Sequence, residues 1–141
     1  MGRALGLDVG TKTIGVAVSD EMGIAAQPVC TLARKGVRKD VERLVPLFEE
    51  LEVEHLVVGL PLDLDGEEQR SARLARQVGD ALGDAVGIPP VYIDERYSSV
   101  EAEAALVRAG LSRKKRKGVI DQAAAILILQ SWLDHGNWSE T

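Results

Sequence analysis

RALGLDVGTKTIGVAVSDEMGIAAQPVCTL, Arg3 to Leu32, holds three apolar runs separated by two short turns. Arg3 to Val9 reads as a strand that contains one acid, Asp8. Gly10-Thr11-Lys12-Thr13 supplies turn residues, Ile14 to Ser19 reads as a second strand, and Asp20-Glu21-Met22-Gly23 as a second turn. Ile24 to Leu32 reads as a third strand. Its Pro28 cannot donate to a ladder, which implies a bulge or an edge position. Strands joined by turns this short pair antiparallel, as a meander.

The period then changes. Val37, Val41, Leu44, Val45, Phe48 and Leu51 recur at helical spacing. Pro46 falls inside that helix and is expected to kink it or end it early. Leu56 to Leu60 reads as a short buried strand. Gly66 to Val86 reads as a helix with Leu74, Val78, Ala81, Leu82 and Val86 on one face, and Pro90 to Asp94 as a fifth strand. Ser98 and Glu101 have capping-box spacing and start a helix that ends at Gly110. Ile120 to Leu133 reads as a last, largely buried helix.

The expected order is therefore βββαβαβαα. Helices between the later strands imply parallel pairing with right-handed crossovers. The expected fold is α/β and ribonuclease H-like: a mixed five-stranded sheet, three antiparallel strands then parallel ones, with helices on both faces.

At 141 residues, with no repeat or linker, the chain is expected to form one domain over 1–141. A domain of this size buries roughly 68–70% of its unfolded surface and folds without metal or disulfide staples. Cys30 is the single cysteine, which excludes an internal disulfide and any multi-cysteine metal site. His55 and His135 are far apart and form no HExxH pair. The longest apolar run, Ala123 to Leu129, is far shorter than the roughly 20 residues that span a bilayer. The first residues lack a signal-peptide core, and Gly6 stands where a myristoylation motif needs Ser or Thr. The expected address is the cytoplasm, with no membrane partner.

Seventeen Lys and Arg against twenty-two Asp and Glu give a net charge of −5, which argues against coating nucleic acid with the whole surface. Yet Arg113-Lys114-Lys115-Arg116-Lys117 places five positive charges in a row, and Arg34, Lys35, Arg38, Lys39 and Arg43 form a looser group. Basic runs are often solvated loops. The sharper reading is a polyanion held by a local patch.

Three acids stand where chemistry is expected. Asp8 lies among Leu5, Leu7 and Val9 near the carboxyl end of a strand expected to be central, where a carboxylate needs a cation or hydrogen bonds. Capping of the Gly10-Thr11 turn is its structural alternative. Asp94-Glu95-Arg96 follows the fifth strand, and alternation lets only one of these carboxylates share a site with Asp8. Ligands of open α/β sheets bind outside the carboxyl ends of the strands, where Asp8 and Glu95 should emerge. Arg96 can equally pair with Glu95. Asp121 opens the expected last helix, where a carboxylate also suits the helix dipole. If that helix packs on the first strand, Asp121 projects toward Asp8.

Three carboxylates without Cys or His ligands select hard cations, Mg2+ or Mn2+, one or two ions. Such a centre attracts a phosphodiester and performs in-line displacement without a histidine base. Arg113, Lys114, Lys115, Arg116 and Lys117, with Lys12 and Arg96, are the expected phosphate contacts.

GLDVGTKTIGVAVSD (Gly6–Asp20), VVGLPLDLDG (Val57–Gly66), DERYSSVEAEAAL (Asp94–Leu106) and IDQAAAILILQSWL (Ile120–Leu133) together resemble the YqgF family, the pre-16S rRNA nuclease or Holliday-junction-resolvase-like family. The resemblance implies an acidic site at Asp8, Glu95 and Asp121. It also implies a role in maturing the 5′ end of the small-subunit rRNA precursor, which favours RNA as partner. Kinship with resolvases suggests branched, four-way DNA instead, and symmetric cutting of a junction would need two sites, hence a homodimer. Two departures stand out: Tyr97-Ser98-Ser99 replaces a more usual Leu-Thr-Thr, and Gln122 and Ala125 leave one acid where resolvase relatives carry two. The second departure suggests one tightly held ion plus one recruited with substrate. The Gly59-Leu60-Pro61 corner reads as turn chemistry that can border the cleft.

Two other classes compete. Asp8-Val9-Gly10-Thr11 resembles the phosphate loop of sugar kinases, but those bind ATP between two such domains, and Val16-Ala17 replaces the Lys-Ser/Thr of a P-loop. A non-catalytic RNA-binding module for ribosome assembly would use the basic run without cleavage. An aromatic content of 4% argues against base stacking as its main mode.

Overall fold

The structure is a computed structural model that describes residues 2–61, 70–94 and 113–134, with side chains in the last segment from residue 123 onward. Glu95, Arg96, the Ser98–Gly110 helix and most of the loop after Pro61 lie outside the described residues.

Among the described residues the chain runs β1 (Arg3–Val9), β2 (Thr13–Ser19), β3 (Ala26–Ala33), α1 (Val37–Glu50), β4 (Val53–Leu60), α2 (Arg70–Val86), β5 (Pro90–Asp94) and α3 (Arg113–Asp134). The sheet order is β3-β2-β1-β4-β5, which makes β1 the central strand. β1–β2 and β2–β3 pair antiparallel; β1–β4 and β4–β5 pair parallel. The expected meander followed by parallel strands is present.

Alternation along β1 divides the core. Leu5, Leu7 and Val9 face one side with Ile14, Val16, Leu56, Val58, Leu44, Phe48, Val78 and Leu82, the side of α1 and α2. Ala4, Ala17 and Val57 face the other side with Ala125, Ile128, Leu129, Trp132 and Leu133 of α3. Helices therefore cover both faces of the sheet, as parallel strands require.

Small residues set how closely α3 approaches. A Cβ on Gly6 would lie 2.8 Å from the Leu129 Cβ and 3.3 Å from the Ala125 carbonyl oxygen. Lower on the helix, the Gln130 side chain accepts from Ala26 N (2.9 Å) and donates to the Ile24 carbonyl (2.8 Å), so it mimics a strand at the start of β3.

Several details differ from expectation. β3 starts at Ala26, because Asp20 Oδ1 accepts from Ile24 N and holds the preceding residues in the turn. Pro28 stands at both an edge and a bulge: Val16 pairs with Cys30 and Ala17 with Pro28, leaving Val29 as the extra residue. Pro46 does not end α1 early; the helix runs on to Glu50, since Pro46 is exposed and the carbonyl it frees belongs to exposed Glu42. The last helix begins at Arg113, not Ile120. Lys and Arg are good helix formers, so the basic run forms the first turns of α3 instead of a preceding loop.

Candidate active site

Asp8 is the penultimate residue of β1, half-buried, and paired with Gly15 of β2. By alternation it shares the face of Ala4 and Gly6, the face covered by α3. The parallel registers Leu7↔Val58 and Leu60↔Asp94 bring the carboxyl ends of β1, β4 and β5 level at one edge of the sheet. Glu95 is the next residue in sequence after β5, and β5 lies two strands from β1, about 10 Å away. This edge is where ligands of open α/β sheets bind.

α3 runs antiparallel to β1. Its Trp132 ring lies 5.4 Å from the ring of His55, which is level with Ala4, while Ala125 and Leu129 meet Gly6. One helical turn toward the amino end from Ala125 is residue 121, a step of about 6 Å that matches two strand residues, Gly6 to Asp8. The backbone of Asp121 therefore falls level with the end of β1. The expectation that Asp121 opens the helix is corrected: it stands eight residues into α3, away from the positive end of the helix dipole, so dipole capping does not account for it. From there the backbone of 113–117 extends about 6–12 Å past the strand end.

Of the three expected acids, only the Asp8 side chain is among the described ones. Among the described residues no group of three His, Cys, Asp or Glu gathers to hold a metal. Lys12 is exposed in the turn beside Asp8.

A buried ionic cluster, not anticipated from sequence, supports that turn. Gly10 N donates to the Thr13 carbonyl (2.8 Å), and Arg34 N donates to the Lys12 carbonyl (2.8 Å). Arg34 Nη1 donates to the Gly10 carbonyl (3.2 Å) and its Nε to Asp40 Oδ2 (2.9 Å). Asp40 Oδ1 accepts from Lys35 N (2.9 Å) and Arg43 Nη2 (2.7 Å), and Arg43 also donates to the Ala33 carbonyl. Asp40 is fully buried. Burial alone would raise its pKa, but the Lys35 N–H and the two guanidiniums outweigh it and hold the carboxyl below its ordinary range. A signal for it existed: Asp40 falls on the apolar stripe of Val37, Val41, Leu44 and Phe48, where an acid needs partners.

A family model described as RuvX: Holliday junction resolvase matches residues 2–135. The chain belongs to the RuvX/YqgF family. A relative from Myxococcus xanthus is 47% identical over 132 residues, 94% of this chain and 87% of that protein. A second, from Syntrophomonas wolfei, is 47% identical over 135 residues, 96% of each chain. Both are named "Putative pre-16S rRNA nuclease". The fold is similar to Thermus thermophilus RuvC in complex with a Holliday junction substrate, at TM-score 0.62 and 16% identity over 94% of both chains. The fowlpox virus resolvase superposes with TM-score 0.59 and 6% identity, over 94% of this chain and 97% of that one. The expected family and ribonuclease H-like fold are borne out. Resolvases and nucleases of this kind generally use divalent metals. Among the described residues no helix is long and apolar enough to cross a membrane.

Proposed function

We propose that this chain is a divalent-metal-dependent nuclease that hydrolyses phosphodiester bonds in RNA and, in the cytoplasm, processes the 5′ end of pre-16S rRNA. The observation that carries this is Asp8: a half-buried carboxylate at the end of the central strand, on the face of α3 and level with the end of β5. Relatives named as pre-16S rRNA nucleases support the choice of substrate.

Asp8, Glu95 and Asp121 hold the ion or ions in this reading. Their donor set is oxygen only, which fits Mg2+ or Mn2+ and disfavours zinc or copper. When bound, the metal supplies charge neutralisation and an activated water for in-line displacement. The chain's own part is to bind and orient. Lys12, Arg96 and the cations Arg113, Lys114, Lys115, Arg116 and Lys117 hold phosphates on either side of the scissile bond. The pairing of Gly6 with α3 fixes how far residue 121 stands from Asp8.

A manganese-supported cleavage assay on single-stranded RNA, duplex RNA and a four-way DNA junction tests the reading. RNA cleavage is expected, with a loss of more than about 100-fold in Asp8→Asn, Glu95→Gln and Asp121→Asn while folding is retained. Wild-type activity in any folded variant removes that residue from the site. The description of the matched family favours a second reading, junction resolution by a homodimer with two sites. Cleavage of the junction with both RNAs intact would select it.

A further inference from the structure

The structure divides the loose basic group that precedes and opens α1. Arg34 and Arg43 are both engaged on buried Asp40, and Arg38 pairs with Glu42 at 3.4 Å. Lys35 and Lys39 are exposed, and neither ammonium has an ion pair among the described residues; the same holds for Lys12. Three lysines are thus left over by the internal chemistry of this corner.

Topology brings them to Asp8. β3 is antiparallel to β2, and β2 to β1, so β3 ends at the edge where β1 ends. The corner 34–36 and the first turn of α1 therefore stand at the Asp8 edge, on the sheet face opposite α3. The same Arg34 that binds Asp40 also holds the Gly10 and Lys12 carbonyls, and Asp40 fixes Lys35 N. The turn carrying Lys12 and the corner carrying Lys35 are locked to each other through side chains that are 8% and 0% exposed.

We infer that Lys35 and Lys39, together with Lys12, form a second phosphate-binding surface for the nucleic-acid substrate, on the opposite side of Asp8 from the basic turns of α3. The inference rests on the reading of the chain as a phosphodiester hydrolase. Compact ammonium groups without a planar fork suit phosphate oxygens as point charges and carry no base information. The chain as a whole carries −5, so exposed lysines gathered at one corner of this edge attract a polyanion to it. The buried Asp40–Arg34 pair gives the surface a fixed geometry, so the strand is held in register over Asp8 instead of sliding on mobile loops.

The test measures binding of the full chain to a labelled single-stranded RNA across a KCl series, alongside KM and kcat for manganese-supported cleavage. In Lys35→Ala/Lys39→Ala the slope of log K against log salt flattens by about 1.4, the share of two single-strand phosphate contacts. KM rises while kcat at saturation is kept. Both side chains are exposed, and an unchanged thermal unfolding curve confirms the fold; Lys35→Gln/Lys39→Gln repeats the measurement with longer stems retained. If wild type cleaves RNA but both double variants keep its slope and KM, the surface is not used and the hydrolase reading stands. If wild type neither cleaves nor binds RNA in a salt-dependent way, the hydrolase reading falls and the inference with it. Polyglutamate that binds with the same dependence on these lysines would assign the surface to acidic protein and overturn the inference.

Discussion

Asp40 is the residue whose chemistry is most sharply defined by its surroundings. A buried carboxylate shared by two guanidiniums gains little over well-packed apolar residues, but removing one partner strands the others, at a cost of about 3–5 kcal/mol. Its folded pKa is lowered, so its contribution is complete above the unfolded value of about 3.9 and is lost as pH falls through the lower folded value. Asp40→Asn should therefore lower stability by roughly 3 kcal/mol at neutral pH, with the gap to wild type closing below about pH 4. Urea unfolding at several pH values measures this; a gap independent of pH would mean that the charge of Asp40 contributes nothing. Because Arg34 links Asp40 to the Gly10 carbonyl, the same variant loosens the turn that follows Asp8.

α3 is the element on which the proposed site depends. Its buried positions Ala124, Ala125, Ile128, Leu129, Trp132 and Leu133 recur at helical spacing and seat it along β1, β2 and β3. Gly6 admits that seat, and the atoms that crowd it are a backbone oxygen and a Cβ, neither of which can swing away. Gly6→Ala should push α3 off β1, costing about 1–3 kcal/mol by overpacking. Cleavage should fall more than stability does, because Asp8 and residue 121 separate. Thermal melts paired with cleavage rates measure both, and an alanine variant with wild-type rates would show that the spacing of α3 from β1 is not what sets the site. Gly36, at φ 107° before α1, is a second position where an added side chain would strain the backbone, here at the corner that carries Lys35.

At the scale of the whole chain, the proposed site would link charge and metal to folding. In the proposed site three acids share one edge and repel each other unless a cation joins them, so a divalent ion held there would stabilise the native state in proportion to its occupancy. Adding Mn2+ at about 100 times its Kd should raise wild-type stability by roughly 2.7 kcal/mol and leave Asp8→Asn nearly unmoved. Calorimetry with and without Mn2+ decides this independently of any cleavage assay. An equal shift in both proteins would place the ion elsewhere. In the proposed function the substrate brings negative charge to the same edge, with α3 on one face of it and the α1 corner on the other.

Order and type of the described elements could be read from residues 3–60 and 70–94, because apolar periodicity of two and of 3.6 is written locally. Asp8 was legible too, since an acid between Leu7 and Val9 breaks the pattern of a buried strand. The boundaries of α3 were not: Arg113–Lys117 resembles a solvated loop in composition, and the helix propensity of Lys and Arg takes effect only because the later turns, seated on the sheet, supply a helix to extend. Nor could the sequence sort its cations. Which of Arg34, Lys35, Arg38, Lys39 and Arg43 are engaged and which are left for a phosphate depends on where Asp40 is buried. The partners of Asp40 are near in sequence, but nothing local buries the carboxylate: that follows only when α1 seats on the sheet and Arg34 is fixed on the Gly10 carbonyl, 24 residues away.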